Sequence, residues 1–168
     1  FSYDETSGTI DLARPTVRGG GGRRDIATPS EESPLLLRAG TMLVTLPSEV
    51  DTLAPFGSDD SIVHLEDRPE RSLFAFPRGR SVGRFDGGRI RSVESKGKLR
   101  LTVTDRLSRQ WDLKVATATM NKPLRPRCMK LNGKRVGKSA WTLSGGVIAL
   151  NVPPLQTKFT VEMTTRTC

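Results

Sequence analysis

Short apolar runs recur from residue 34 to the end of the chain, each closed by glycine, proline or an Asp-Gly or Asn-Gly pair. Pro34–Gly40 and Thr41–Leu46 are the first two, with Ala39-Gly40 as the turn between them. Runs this short and this bounded predict strands, not helices. Ile62–Leu65 and Ser72–Phe76 follow, the second closed by Pro77-Arg-Gly79. Ser81–Phe85 ends at Asp86-Gly87-Gly88, and Arg89–Ser95 ends at Lys96-Gly97. Aspartate and glycine tolerate positive φ, so both junctions suit tight hairpins. Lys98–Thr104 alternates with Leu99, Leu101 and Val103 on one face. Gln110–Val115 places Trp111, Leu113 and Val115 inward, and Thr117 and Thr119 continue that phase. Cys128–Leu131 runs into Asn132-Gly133, the strongest short hairpin signal, and Lys134–Val136 returns. Trp141–Leu143, Gly145-Gly146 and Val147–Val152 form another pair before Pro153-Pro154, and Lys158–Met163 is the last strand. No window sustains a 3.6-residue apolar period.

Regularly spaced short strands predict an all-β fold of antiparallel β-sandwich type. A lobe change is expected between 59 and 71, where charged residues cluster around Pro69, dividing a small proximal β region over 1–66 from a distal antiparallel sandwich over 67–168. The expected cores contain Leu35, Leu37, Leu43, Phe74, Phe76, Leu101, Val103, Trp111, Leu113, Leu131, Ile148, Leu150, Phe159 and Val161. Residues 1–33 are polar and poorly periodic, and Gly19–Gly22 is a loop because glycine loses the most backbone entropy on ordering. No Gly-Lys-Ser/Thr follows it, which excludes a phosphate loop. The chain opens on Phe1 and not Met, and is read as a fragment or a processed or excised product.

Charge changes the picture. The net charge is +9, and no acidic residue occurs between Asp112 and Glu162. That stretch carries Lys114, Lys122, Arg125, Arg127, Lys130, Lys134, Arg135, Lys138 and Lys158, which account for the whole excess. One-signed regions attract anionic partners. Nucleic acid is not expected, since base stacking needs aromatic residues among the cations and only Trp141 and Phe159 are there. No run reaches the ~20 apolar residues of a membrane span.

Candidate chemistry is sparse. The acidic groups Asp4/Glu5, Glu31/Glu32, Asp59/Asp60, Glu66/Asp67 and Asp86 lie in loops or at strand ends, where solvated charge is the expected state. A catalytic acid needs a shielded site that shifts its pKa. His64 is the single histidine and is expected on a strand edge, with no triad around it. Cys128 and Cys168 could form one bridge, but two free thiols are the expected state, because the last residue frays. Neither a metal nor a cofactor is expected, and no catalytic residue is assigned. Trp141 is the candidate carbohydrate contact, since a sugar's apolar C–H face stacks on an exposed indole. Core packing competes with that role at Trp141 and prevails at Trp111.

The order of the segments resembles a known family. Pro34-Leu-Leu-Leu-Arg-Ala-Gly-Thr-Met-Leu43 is similar to the Arg-Ala-Gly hallmark that follows the catalytic barrel in family 31 of the glycoside hydrolases, the α-glucosidase family. Upstream, Tyr3-Asp4-Glu5 and Gly19–Arg24 occupy the places of that family's aromatic start and Gly-Gly segment. Downstream, Leu73-Phe-Ala-Phe-Pro77 resembles its strand ending in an aromatic-Pro pair, and Phe85-Asp-Gly-Gly88 its acidic-Gly turn. Cys128-Met-Lys-Leu-Asn-Gly133 resembles its last Asn-Gly hairpin. The chain departs from the family at Val44-Thr-Leu-Pro47, at the single acid Asp86, and in the insert 48–60.

The resemblance implies a non-catalytic C-terminal portion of a retaining α-glycosidase. The nucleophile and acid carboxylates of that family lie on a (β/α)8 barrel before this region, so none is carried over. The implied partner is that barrel, on which the proximal region packs. The alternative is a free-standing module that binds carbohydrate through Trp141 or an anionic partner through the 114–158 stretch.

Overall fold

The computed structural model of the chain describes residues 2–4, 9–11, 37–46, 69–154 and 157–168. Leu35, Gly19–Gly22, His64, the Ile62–Leu65 strand and most of the 1–66 region lie outside them.

The fold is all-β, as the alternation predicts. β1 (Ser2–Asp4) and β2 (Thr9–Asp11) form a two-stranded antiparallel sheet in a segment whose sequence carries no strand signal. The remaining strands are β3 (Met42–Thr45), β4 (Glu70–Ala75), β5 (Arg80–Phe85), β6 (Gly88–Ser95), β7 (Lys98–Thr104), β8 (Gln110–Ala116), β9 (Cys128–Leu131), β10 (Lys134–Arg135), β11 (Trp141–Ser144), β12 (Val147–Val152) and β13 (Lys158–Thr164). They make two sheets, one ordered β10-β9-β13-β7-β6-β5 and the other β11-β12-β8-β4-β3. Among the described strands every pair is antiparallel except β4 with β8, which run parallel, so the sandwich is not antiparallel throughout.

Period-two alternation builds the core between the sheets. From the six-stranded sheet come Leu99, Leu101 and Val103, directly opposite Met163, Val161 and Phe159. From the five-stranded sheet come Trp111, Leu113 and Val115, opposite Val152, Leu150 and Ile148. Trp111 spans the two layers: its ring meets Phe85 edge-on at 5.3 Å and Phe159 at 6.3 Å.

β4 runs in the opposite phase to that expected. Arg71, Leu73 and Ala75 point into the sandwich, while Phe74 is half-buried on the outer side. There Phe74 joins Phe76, Ala116, Val147 and Leu37 in a second, smaller cluster. Phe74 is among the expected core residues, but β4 pairs with β8 in a register that sets Leu73 against Leu113. Leu37, Leu43 and Leu131 are likewise only partly buried.

Two further expectations are corrected. Thr117–Thr119 is a 3-10 turn and does not extend β8. Thr117 Oγ1 donates to the Gly146 carbonyl at 2.9 Å, and Thr119 Oγ1 to the Ala116 carbonyl at 2.8 Å. These bonds satisfy the backbone where the strand stops. Cys128 and Cys168 are joined in a disulfide, with Cα atoms 5.1 Å apart, and are not free thiols. Cys168 Sγ also lies 3.9 Å from the Met129 carbonyl oxygen of β9, so the last residue is tied down.

Candidate functional site

Residues alternating with the core phase cover the outer face of the six-stranded sheet, and cross-strand register sorts them into rows. One row holds Arg84, Arg89, Thr104 and Lys158. The next holds Val82, Arg91, Thr102 and Thr160. The third holds Arg80, Val93, Arg100, Glu162, Lys130 and Arg135. The fourth brings Lys98 between Ser95 and Thr164. Among the described residues of these rows, nine cations face one carboxylate, that of Glu162.

The middle of the face is a groove of about 850 Å³ lined by Arg91, Lys98, Arg100, Lys158, Thr160 and Glu162 among others. Glu162 is gripped from β7: Lys98 Nζ stands 2.9 Å from Oε2, and Arg100 Nε donates to Oε1 at 2.7 Å. Hydrogen bonding from Lys98, reinforced by Arg100, outweighs partial burial and holds the Glu162 carboxyl below its ordinary range. Thr102 and Thr160 Oγ1 lie 3.3 Å apart. Asn132 closes one side: its N–H donates to the Thr160 carbonyl and its Oδ1 accepts from the Thr160 N–H, each at 2.8 Å. The Asn132-Gly133 turn permits this because both residues take positive φ, 49° and 81°.

At the end of the sandwich a second charged group is buried. Arg109 Nε stands 3.0 Å from Asp105 Oδ2, an ion pair outside hydrogen-bonding alignment. Arg71 lies in the same region, where burial and the Arg109 charge lower its pKa against the pull of Asp105. The Asp105 carboxylate also caps the Leu107 N–H at 3.1 Å.

The basic stretch read from the sequence does not form one surface. Lys130, Arg135 and Lys158 reach the cationic face. Lys114 lies 5.1 Å from the Phe74 ring centroid in the other sheet, and Lys138 lies over Trp141. The other cations of the face are Arg80, Arg84, Arg89, Arg91, Lys98 and Arg100, from a part of the chain whose formal charge balances. Their signal is the polar phase of β6 and β7, where Arg89 and Arg91, then Lys98 and Arg100, recur with period two.

Trp141 is 4% exposed and packs in the main core, with Lys138 Nζ 3.2 Å from its ring centroid. Asp86 is exposed in the β5–β6 turn, and the other paired carboxylates lie outside the described side chains. Among the described residues no three His, Cys, Asp or Glu gather as metal ligands, and no helix is long and apolar enough to cross a membrane.

Neither a protein-family model nor a curated protein matches this chain. Among solved structures, the cycloalternan-forming enzyme of Listeria monocytogenes, in complex with a pentasaccharide substrate, matches 76% of this chain and 13% of its own, at TM-score 0.54 and 11% identity. An uncharacterized protein of Listeria monocytogenes EGD-e in complex with α- and β-D-glucose, magnesium and calcium matches 61% of this chain and 11% of its own, at TM-score 0.47 and 11% identity. The α-1,4-glucan lyase of Gracilariopsis lemaneiformis matches 56% and 13%, at TM-score 0.41 and 12% identity. The chain therefore spans 11–13% of the length of these proteins, and at 11% identity the likeness to the cycloalternan-forming enzyme is one of fold.

Proposed function

We propose that this chain is a non-catalytic accessory portion of a glycoside hydrolase of the family 31 type, supporting a (β/α)8 barrel that cleaves α-glycosidic bonds. The observation that carries the reading is the shared sandwich: 76% of this chain superposes on a small part of a much larger carbohydrate-active enzyme. The placement of the hallmark supports it. Arg38-Ala-Gly40 leads into β3, and β3 pairs with β4, the strand that runs into Phe76-Pro77. Two segments of the resemblance, remote in sequence, are thus neighbours in one sheet. The division into a proximal region (1–66) and a distal sandwich (67–168) belongs to this proposal, with β3 the strand of the first that completes a sheet of the second.

The coding sequence on the 5′ side of Phe1 tests it. An in-frame barrel with two facing carboxylates is the expected result. A reading frame without a barrel sinks the proposal, and so does turnover of aryl α-glucosides by the purified chain.

A free-standing binding module is the second reading, favoured by the cationic face. A sugar contact at Trp141 enters either reading only with Lys138 displaced from the ring, since the buried indole otherwise offers no stacking surface.

A further inference from the structure

We propose that the outer face of the six-stranded sheet binds an acidic polysaccharide, a sugar chain bearing carboxylate or sulfate groups, laid across the strands. This goes beyond the accessory reading and does not depend on a barrel.

Charge supplies the attraction. Arg91 has Val82 and Thr102 as its cross-strand neighbours, and Lys158 has Thr104, so no carboxylate stands directly across from either. Lys98 and Arg100 share the one acid, Glu162. A concave surface on which one sign predominates concentrates the field and the local density of counter-ligand. Six strands at their ordinary spacing are roughly 24 Å across, enough for an extended polymer to touch several cations at once.

The remaining groups select the polymer. Thr102, Thr160 and Asn132 line the groove among the cations and can exchange hydrogen bonds with sugar hydroxyls. The Glu162 carboxylate accepts hydrogen bonds from hydroxyls but repels phosphate. A sugar chain with spaced charges can set a hydroxyl against Glu162, whereas a phosphodiester chain carries a charge on every unit. The groove lining also contains no aromatic side chain, the platform on which single-stranded nucleic acid stacks.

Calorimetric titration of the full chain at about 0.15 M salt, where surface charges are screened beyond ~8 Å, tests this. The probes are heparin for sulfate, polygalacturonate for carboxylate, neutral dextran, and single- and double-stranded DNA. At least one acidic polysaccharide should bind about tenfold or more tightly than dextran or either DNA, and which one binds identifies the anion. Arg91→Glu with Lys158→Glu should weaken it by about tenfold or more, through loss of charge complementarity. Lys122→Glu with Arg125→Glu makes the same change in net charge off the face and should alter binding less than about twofold. If the first pair fails to fold by circular dichroism, Arg91→Gln alone should still weaken binding about threefold. Three results overturn the proposal: no acidic polysaccharide binds, DNA binds as tightly, or the loop pair loses as much as the face pair.

Discussion

The Gly40 N–H donates to the Phe76 carbonyl at 2.6 Å, and the Phe76 N–H returns a bond to the Thr41 carbonyl at 2.9 Å. This pair of bonds locks the entry of β3 to the exit of β4. It gives the Arg-Ala-Gly segment a physical reason: the glycine takes φ +102°, a conformation that strains any side chain. A Cβ there would meet Ser81 Oγ at an ordinary 3.6 Å, so the backbone, not the space, forbids it. Gly40→Ala is expected to lower the unfolding free energy by about 1–3 kcal/mol. Gly137 has φ −60°, and Gly137→Ala should be close to neutral in the same urea titrations. Equal effects at the two positions would remove the argument.

The disulfide closes a loop across 40 residues, from β9 to the last residue. Cross-linking a loop of this length removes denatured-state entropy worth up to about 4 kcal/mol. Cys128→Ala with Cys168→Ala should lower stability by about 2–4 kcal/mol, and the native chain should show no titratable thiol before reduction. A full count of free thiols in non-reducing buffer contradicts the bridge directly.

Most of the sandwich was legible because the alternation is strict where both neighbours are strands. Lys98–Thr104, Cys128–Leu131 and Val147–Val152 are strands with the bounds their sequence suggests. What escaped depends on contacts between distant segments. The parallel pairing of β4 with β8 has no local signature, and it sets Phe74, expected in the core, outward. The bridge pairs a strand residue with a terminal one, which spacing alone does not disclose. The cationic face was hidden for the same reason. Arg91 and Lys158 are far apart in sequence and reach one surface through β7, which pairs with both their strands.

Glu94 ties two loops together. Its Oε2 accepts from the Gly79 N–H at 2.9 Å and the Asn121 N–H at 3.1 Å, and its Oε1 from the Lys122 N–H at 2.9 Å. Partial burial alone would raise its pKa, but these three donors and the Arg78 charge outweigh it and bring it below 4.5. A carboxylate with a depressed folded-state pKa contributes stability that is complete above its unfolded value and lost as pH falls through the folded one. Glu94→Gln should cost about 1 kcal/mol at neutral pH, modest because the site is wet. The difference between parent and variant should shrink below pH 4.5, the ordinary value of the group. Urea midpoints followed across that range check it, and a gap that stays constant into acid would show that the charge plays no part.

Trp141 sits on the edge strand β11 opposite Leu150, so one side of its indole is covered by the core and the other by Lys138. Truncating a buried indole leaves a cavity, and Trp141→Ala should lower stability by about 3 kcal/mol or more. Removing the ammonium cover alone costs less: Lys138→Ala should lose no more than about 1 kcal/mol, the worth of a surface cation–π contact. The variant should nevertheless expose the ring, so acrylamide quenching of tryptophan fluorescence should rise above that of the parent chain. Trp111, at 1% exposure between the sheets, supplies the constant background. If Lys138→Ala quenches no more than the parent, the lysine does not shield the ring. A rise in quenching that added α-linked gluco-oligosaccharide reverses would establish that the uncovered indole can take a sugar.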